Sequence, residues 1–229
     1  MDISDLPRSK WDGTPLLSAP EAIAKRRAIR KFDPDRPIPD GLLKQILGLA
    51  TLAPSSYNTQ PFRFLVVRSQ KNRERLRACA YGQPKVGEAP VVIVVLGYHY
   101  PHKTHLPAIV DQSVRLGTMT KEIGASVVGM ASAFLERVTN RDEWATRSTM
   151  PAAATLMIAA ESLGVSSAPM EGFEPTKIRQ EFGVPDDHAI CALIALGFAR
   201  EEPEFPGRLP LSAVCFEEHF GQPWTLGEP

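Results

Sequence analysis

Pro54-Ser55-Ser56-Tyr57-Asn58-Thr59-Gln60-Pro61-Phe62-Arg63-Phe64 sets small hydroxyl and amide side chains between two prolines and runs directly into an apolar segment. Ser55, Ser56, Asn58 and Gln60 offer donors and acceptors suited to the edge of a planar polar ring, and Pro54 and Pro61 restrict the loop's shape. The same composition also serves an ordinary helix-to-strand loop, because Ser, Asn and Pro favour turns for local reasons. Two further segments bear on the choice.

Upstream, Lys25-Arg26-Arg27-Ala28-Ile29-Arg30-Lys31-Phe32 gathers five cations in eight residues and stops at Asp33-Pro34. At a helix end, guanidinium groups so placed can grip a phosphate bidentately, whereas most basic runs are solvated faces. Downstream, Ala168-Pro169-Met170-Glu171-Gly172-Phe173 follows an apolar helical stretch ending at Leu163-Gly164. Its glycine permits close backbone approach to a ligand, although a strand and turn would read the same way.

In this order and spacing the three segments, with Gly207-Arg208-Leu209-Pro210 near the end, resemble the nitroreductase family of FMN-dependent NAD(P)H oxidoreductases. The likeness runs from Ala22 to Leu211. It implies an α+β, three-layer fold with a mixed, mostly antiparallel sheet flanked by helices. It also implies an interlocked homodimer with both flavins at the interface and C-terminal tails (200–229) exchanged between partners. The whole chain, 1–229, then reads as one nitroreductase-like domain opened by an arm over 1–19.

The resemblance also assigns roles. Arg26 and Arg208 hold the FMN phosphate, with Arg27 and Ala28 lining the approach. A serine is commoner where this chain has Ala28, so one hydroxyl contact is missing, and Pro206 or Gly207 replaces a basic residue often found before Arg208. Arg27 is a candidate to supply that charge. Arg30 faces the pyrimidine edge of the ring, where a fixed cation stabilises the negative charge left by reduction; a surface salt bridge is the plainer alternative. Ser55, Ser56 and Asn58 reach the flavin from the other subunit. Pro169, Met170, Glu171 and Gly172 pass beneath the ring and offer a backbone N–H to N5, which puts Glu171 and Gly172 with Arg30 at the reacting centre. Gln83 stands near a position that reads the ring edge, although Gly82 occupies the better-aligned place. Tyr98, Tyr100, Met130 and Phe134 are candidates to line the acceptor pocket. The implied reaction is ping-pong hydride transfer from NAD(P)H through flavin to a nitroaromatic, a quinone or a similar small electrophile. Reductive dehalogenation, reduction of an enal, and non-catalytic flavin carriage remain open as alternatives.

Composition bounds these readings without choosing among them. In 229 residues, 43% are hydrophobic and 23% charged, ordinary values for a globular enzyme with a sizeable core. Lys+Arg and Asp+Glu are both 26, which gives no electrostatic case for nucleic acid or an anionic membrane. Cys79, Cys191 and Cys215 form no Cys-x-x-Cys, arguing against a disulfide framework or zinc site and fitting a reducing cytoplasm. The acidic, proline-bearing start does not read as a signal peptide, and no apolar stretch approaches the ~20 residues of a membrane span.

Periodicity predicts helices over 20–27 and from an Asp40 N-cap to Ala50, and strands over 62–68 and 91–97 with a helix over 69–80 between them. That strand–helix–strand order suggests a layered α/β unit. Residues 98–106 read as a polar, aromatic loop and 107–138 as one long helix weakened by glycines 117, 124 and 129. An almost wholly apolar helix over 142–163, buried all round, should kink or restart at Pro151. Strands are expected over 165–170 and 189–199. Trp11, Leu16 and Leu17 are candidate anchors for the arm.

Competing sites are weaker. The chain has no Gly-x-Gly for dinucleotide binding, and the spacings Gly82 to Gly87 and Gly124 to Gly129 lack the Lys-Ser or Lys-Thr of a P-loop. Gly164-Val165-Ser166-Ser167-Ala168 lacks the second glycine of a nucleophile elbow. His99, His102 and His105 recur every third residue beside Asp111, but Pro101 and Pro107 should break the helix aligning them, so a solvated loop is expected and no metal.

Overall fold

The protein is described by a computed structural model covering residues 10–11 and 14–224; the Trp11 side chain and the rest of the expected arm and tail lie outside the described residues. In chain order the elements are β1 (Lys10–Trp11), β2 (Thr14–Pro15), α1 (Ala19–Lys25), α2 (Asp40–Ala50), β3 (Phe62–Val67), α3 (Gln70–Cys79), α4 (Pro84–Glu88), β4 (Val91–Tyr98), α5 (Pro101–Arg115), α6 (Lys121–Glu136), α7 (Arg141–Ser162), β5 (Ser166–Met170), α8 (Pro175–Phe182) and β6 (His188–Gly197).

The sheet runs β3-β4-β6-β5 with every neighbouring pair antiparallel. Helices cover both of its faces, which is why Val91-Val92-Ile93-Val94-Val95-Leu96 is a continuous apolar run rather than an alternating one. Val91, Ile93 and Val95 enter a core shared with α2 and α7, through Leu42, Ile46, Leu156 and Ala160. Val92, Val94 and Leu96 enter a second core with Leu76, Val86 and Ile178 from α3, α4 and α8. The three layers follow from this alternation of side chains across a pleated strand.

Strand–helix–strand order predicts a layered α/β unit, yet β3 and β4 pair antiparallel, Phe62 opposite Gly97 and Val67 opposite Val92. Two helices separate them instead of one, and left-handed Tyr81 (φ 52°) and Gly82 (φ 71°) turn the chain between α3 and α4.

The segment from 98 to 138 also departs from expectation. Pro101 opens α5 rather than breaking a helix, a position where its missing N–H costs nothing. The expected single helix is two, separated at Gly117 (φ 71°) and restarted by Thr120, whose hydroxyl accepts from the Ile123 N–H at 3.3 Å. Conversely, α7 does not restart at Pro151. It continues from an Asn140 cap to Ser162, with the Thr155 hydroxyl donating to the Pro151 carbonyl at 2.9 Å. Nor is α7 buried all round: Trp144, Ala145, Ala152 and Leu156 are buried, while Asp142, Glu143, Arg147 and Ala154 are exposed. Its small residues let the sheet approach closely, and a Cβ on Gly97 would lie 2.9 Å from the Ala145 carbonyl oxygen.

Leu17 is tied to the end of α7 by its N–H on the Ser162 carbonyl at 3.1 Å, and Leu16 packs on the core beside it. From Glu201 to Trp224 the tail lies almost wholly exposed, presenting Phe205, Leu209, Leu211 and Phe220. Among the described residues no helix is long and apolar enough to cross a membrane.

Candidate functional site

The basic segment flanks β5. Ala28 pairs with Ser167 in a parallel bridge, and the Ile29 N–H donates to the Ser167 carbonyl at 3.1 Å. Because an extended chain alternates its side chains, Arg26, Ala28 and Arg30 share one side and Arg27 and Ile29 the other. Ile29 enters the core, whereas Ala28 and Arg30 are exposed. With Pro169, Glu171 and Gly172, also exposed, they make an open face along this edge. Arg27 instead borders a separate cleft of about 410 Å³ with Lys25, Arg36 and Glu161. Burial raises the Glu161 carboxyl there, against the opposing pull of Lys25, Arg26 and Arg27.

The cations Arg30 and Lys85 have no salt-bridge partner among the described residues, while Arg26 feels the Glu161 carboxyl. One Arg26 nitrogen, Nη1, is buried without a hydrogen bond among the described residues. Lys85, in the first turn of α4, lies close enough to Arg30 that its ammonium is pulled below the usual lysine range, first by burial and then by the Arg30 charge. Neither Arg30 nor Lys85 makes a salt bridge among the described residues. Like charges brought together in this way call for an anionic ligand. The residues therefore fit an anionic group such as a phosphate. Sequence reasoning missed Lys85; the available signal was Pro84, which opens a helix and fixes the next residue in its first turn.

The Pro-x-Glu-Gly-Phe turn is braced from the α3–α4 junction. Gln83 Nε2 donates to the Gly172 carbonyl at 2.7 Å and to the Ala80 carbonyl at 3.2 Å, while the Glu174 N–H reaches the Cys79 carbonyl at 2.8 Å. Gln83, expected at the ring edge, thus commits its amide nitrogen to the turn. Met170 is 4% exposed with its side chain in the core, so only its backbone can face a ligand.

The Ser-rich loop carries three non-glycine residues in the left-handed region, Tyr57 (φ 50°), Asn58 (φ 53°) and Gln60 (φ 47°). Such backbone persists only when its surroundings hold it. Here the Ser55 hydroxyl accepts from the Gln60 N–H at 2.9 Å and Thr59 is buried. The loop leads into β3, the edge opposite β5, four interstrand steps or ~19 Å from the basic segment. One chain does not bring the two halves together.

The four expected pocket residues divide into two groups. Phe134, with Met130 one turn before it on α6, meets Tyr57 at 5.9 Å between ring centroids. Tyr98 stands between His105 and His188, at 5.3 and 4.9 Å, and Tyr100 lies under the Arg141 guanidinium at 4.7 Å. His102 and His105 do share α5, contrary to the expected loop, but the three histidines go to different partners: His99 to Asp142 at 2.8 Å, His102 to Glu136 at 3.2 Å, and His105 to Arg63. Cys79 and Cys191 are buried, and burial pushes the Cys191 thiol up to about 11. Arg208 donates to the Gly207 carbonyl at 2.6 Å, and its guanidinium borders the Phe205 ring at 5.3 Å, as does that of Arg27 at 4.6 Å.

A helix-covered antiparallel sheet with a basic segment at one edge and a hydroxyl-rich loop at the other matches known proteins along most of its length. The sequence profile of the nitroreductase family matches residues 23–198, and the chain belongs to that family. A protein of Thermus thermophilus named NADH dehydrogenase is 38% identical over 200 residues, covering 87% of this chain and 96% of that one. A Bacillus subtilis protein assigned as an NAD(P)H nitroreductase is 30% identical over 200 residues, covering 85% and 95%. The crystal structure of a protein from Exiguobacterium sibiricum, assigned as a nitroreductase and in complex with FMN, superposes with a TM-score of 0.82 at 29% identity, covering 88% and 98%.

Proposed function

We propose that the protein is an FMN-dependent NAD(P)H oxidoreductase acting as a homodimer on nitroaromatics, quinones or similar small electrophiles. The observation that carries this reading is the pair Arg30 and Lys85, close together beside β5 with no salt bridge among the described residues, together with the buried Arg26 Nη1 that has no hydrogen-bond partner there. Arg26 and Arg208 are assigned to the phosphate. Arg30, with Lys85 beside it, takes the pyrimidine edge, and the backbone from Pro169 to Gly172 takes the underside of the ring. Bound FMN supplies the chemistry of accepting a hydride and passing electrons on. The fixed cations favour the added negative charge of that reduced state, because a preorganised charge costs no reorganisation during reaction.

Two features of the single chain support the dimer. Ser55, Ser56 and Asn58 stand at the sheet edge remote from Arg30, so they reach a flavin held there only as part of a second copy. The exposed apolar residues of the tail give that copy a surface to cover. Donor and acceptor would use the same open face in turn, giving ping-pong kinetics.

Purified protein is expected to be yellow, to release FMN and not FAD on denaturation, to bleach anaerobically with NADH or NADPH, and to recolour on adding a quinone or nitroaromatic. Parallel double-reciprocal plots would identify the ping-pong order. A colourless protein that cannot be reconstituted with FMN overturns the assignment, and a yellow protein that NAD(P)H does not bleach reduces it to flavin carriage.

A further inference from the structure

Ser167 is fully buried, and its hydroxyl has no hydrogen-bond partner among the described residues. A buried hydroxyl left unpaired is costly, and native structures rarely keep one without a purpose. Its backbone belongs to the sheet: the carbonyl accepts from the Ile29 N–H at 3.1 Å, and β5 sets the residue opposite Leu196 on the other side. The side chain is therefore the one part of the residue with no structural task.

Its neighbour supplies one. Residues paired across a bridge project their side chains to the same side, so the Ser167 and Ala28 side chains leave their strands in the same direction. Ala28 is the position where the family pattern more commonly has a serine and this chain has lost the hydroxyl. Arg26, two residues before Ala28, holds the other unpartnered buried atom of this segment, Nη1. Pro169, two residues after Ser167 and on the same side of β5, belongs to the exposed face assigned to the flavin. A missing donor on one strand and an unused donor on the adjacent strand thus occupy paired positions.

We infer that the Ser167 hydroxyl replaces the one absent at position 28 and donates, with Arg26, to the phosphate of FMN. The inference rests on the FMN reading of this face. A phosphate oxygen accepts from a hydroxyl as readily when the donor comes from β5 as when it comes from the basic segment, since the bond depends on where the O–H is and not on which strand carries it.

The test uses apoprotein reconstituted with FMN or with riboflavin, which lacks the phosphate, followed by flavin fluorescence. In Ser167→Ala, FMN affinity should fall about 10- to 100-fold, the worth of one charge-assisted hydrogen bond, while riboflavin affinity stays unchanged. The double variant Ala28→Ser/Ser167→Ala, which returns the hydroxyl to the basic segment, should recover FMN affinity. Equal losses for both flavins, no loss for either, or failure of the double variant to recover would each overturn the role given to Ser167. If wild-type apoprotein binds neither flavin, the reading of the whole face falls and this inference falls with it. Thermal melting of the apoproteins controls for folding: a loss of FMN affinity matched by an equal loss of apoprotein stability would make Ser167 a packing residue and overturn the inference.

Discussion

Gln83 and Gly172, 89 residues apart, are joined by a hydrogen bond of 2.7 Å from the side-chain amide of one to the backbone carbonyl of the other. With the Glu174 N–H on the Cys79 carbonyl, this bond holds the turn after β5 at two points from the α3–α4 junction. The turn's geometry is therefore set by a residue that contributes no atom to its path.

Gln83→Ala should loosen this turn. The direct loss is one net hydrogen bond, about 1 kcal/mol of stability, visible as a small drop in melting temperature. FMN affinity should weaken with it, because the backbone that supports the ring is no longer fixed. Unchanged flavin affinity in a stable Gln83→Ala protein would mean that the brace does not shape the ligand face.

Arg30→Ala should injure flavin reduction more than flavin binding, since its proposed partner is charge present mainly on the reduced ring, whereas Arg208→Ala should chiefly weaken FMN retention. Loss of a charge-assisted contact worth roughly 1.5–3 kcal/mol from the reduced state lowers the two-electron midpoint potential by roughly 30–65 mV. Spectroelectrochemical titration reads this directly. An unchanged potential with weakened FMN binding would move Arg30 to the phosphate.

Sedimentation should give a flavin-loaded dimer at micromolar concentration. Removing residues 205–229 takes away Phe205, Arg208, Leu209 and Leu211 together, and should weaken both the dimer and FMN retention. A stable, flavin-loaded monomer, full-length or truncated, would contradict the two-chain site.

Acid sensitivity should trace in part to His105. Burial, then the Arg63 charge, lowers its proton affinity in the folded state below the ordinary histidine value of about 6.5. The unfolded chain then binds the proton more readily, so stability rises with pH across that interval. This contribution is complete above about pH 6.5 and is lost as pH falls toward the lower folded value. His105→Gln should flatten the slope of urea-derived stability between pH 7.5 and 5.5, about where an unperturbed histidine begins to titrate. An unaltered slope would place the sensitivity elsewhere.

Gly97→Ala should be costly although it adds one methyl group. That carbon would meet the Ala145 carbonyl oxygen at 2.9 Å and Thr149 Oγ1 at 3.0 Å, forcing α7 away from β4. Overpacking of this kind costs about 1–3 kcal/mol, to be measured by denaturant unfolding. A neutral result would show that α7 can shift without loss.

Local chemistry made much of the protein legible in the sequence. The apolar, β-branched run from Val91 reads as a strand and four ordered motifs identify the family, whereas the expected Asp40 N-cap is the first residue inside α2, after Pro39. Local signals misled at the prolines. Pro101 opens a helix, where its missing N–H costs nothing, and Pro107 and Pro151 sit within helices, where the surrounding packing outweighs a single lost N–H.

By itself the sequence determined most of the strands and helices and which residue types the site uses, since capping, periodicity and turn chemistry act over a few residues. Tertiary structure alone decided which groups meet. It set Lys85 against Arg30, Gln83 against Gly172 and Ser167 beside Ala28, and it put the Ser-rich loop at the edge of the sheet opposite Arg30. These relations join positions far apart in the chain through strand order and helix packing, where the deciding energy is the burial of whole faces rather than any local preference.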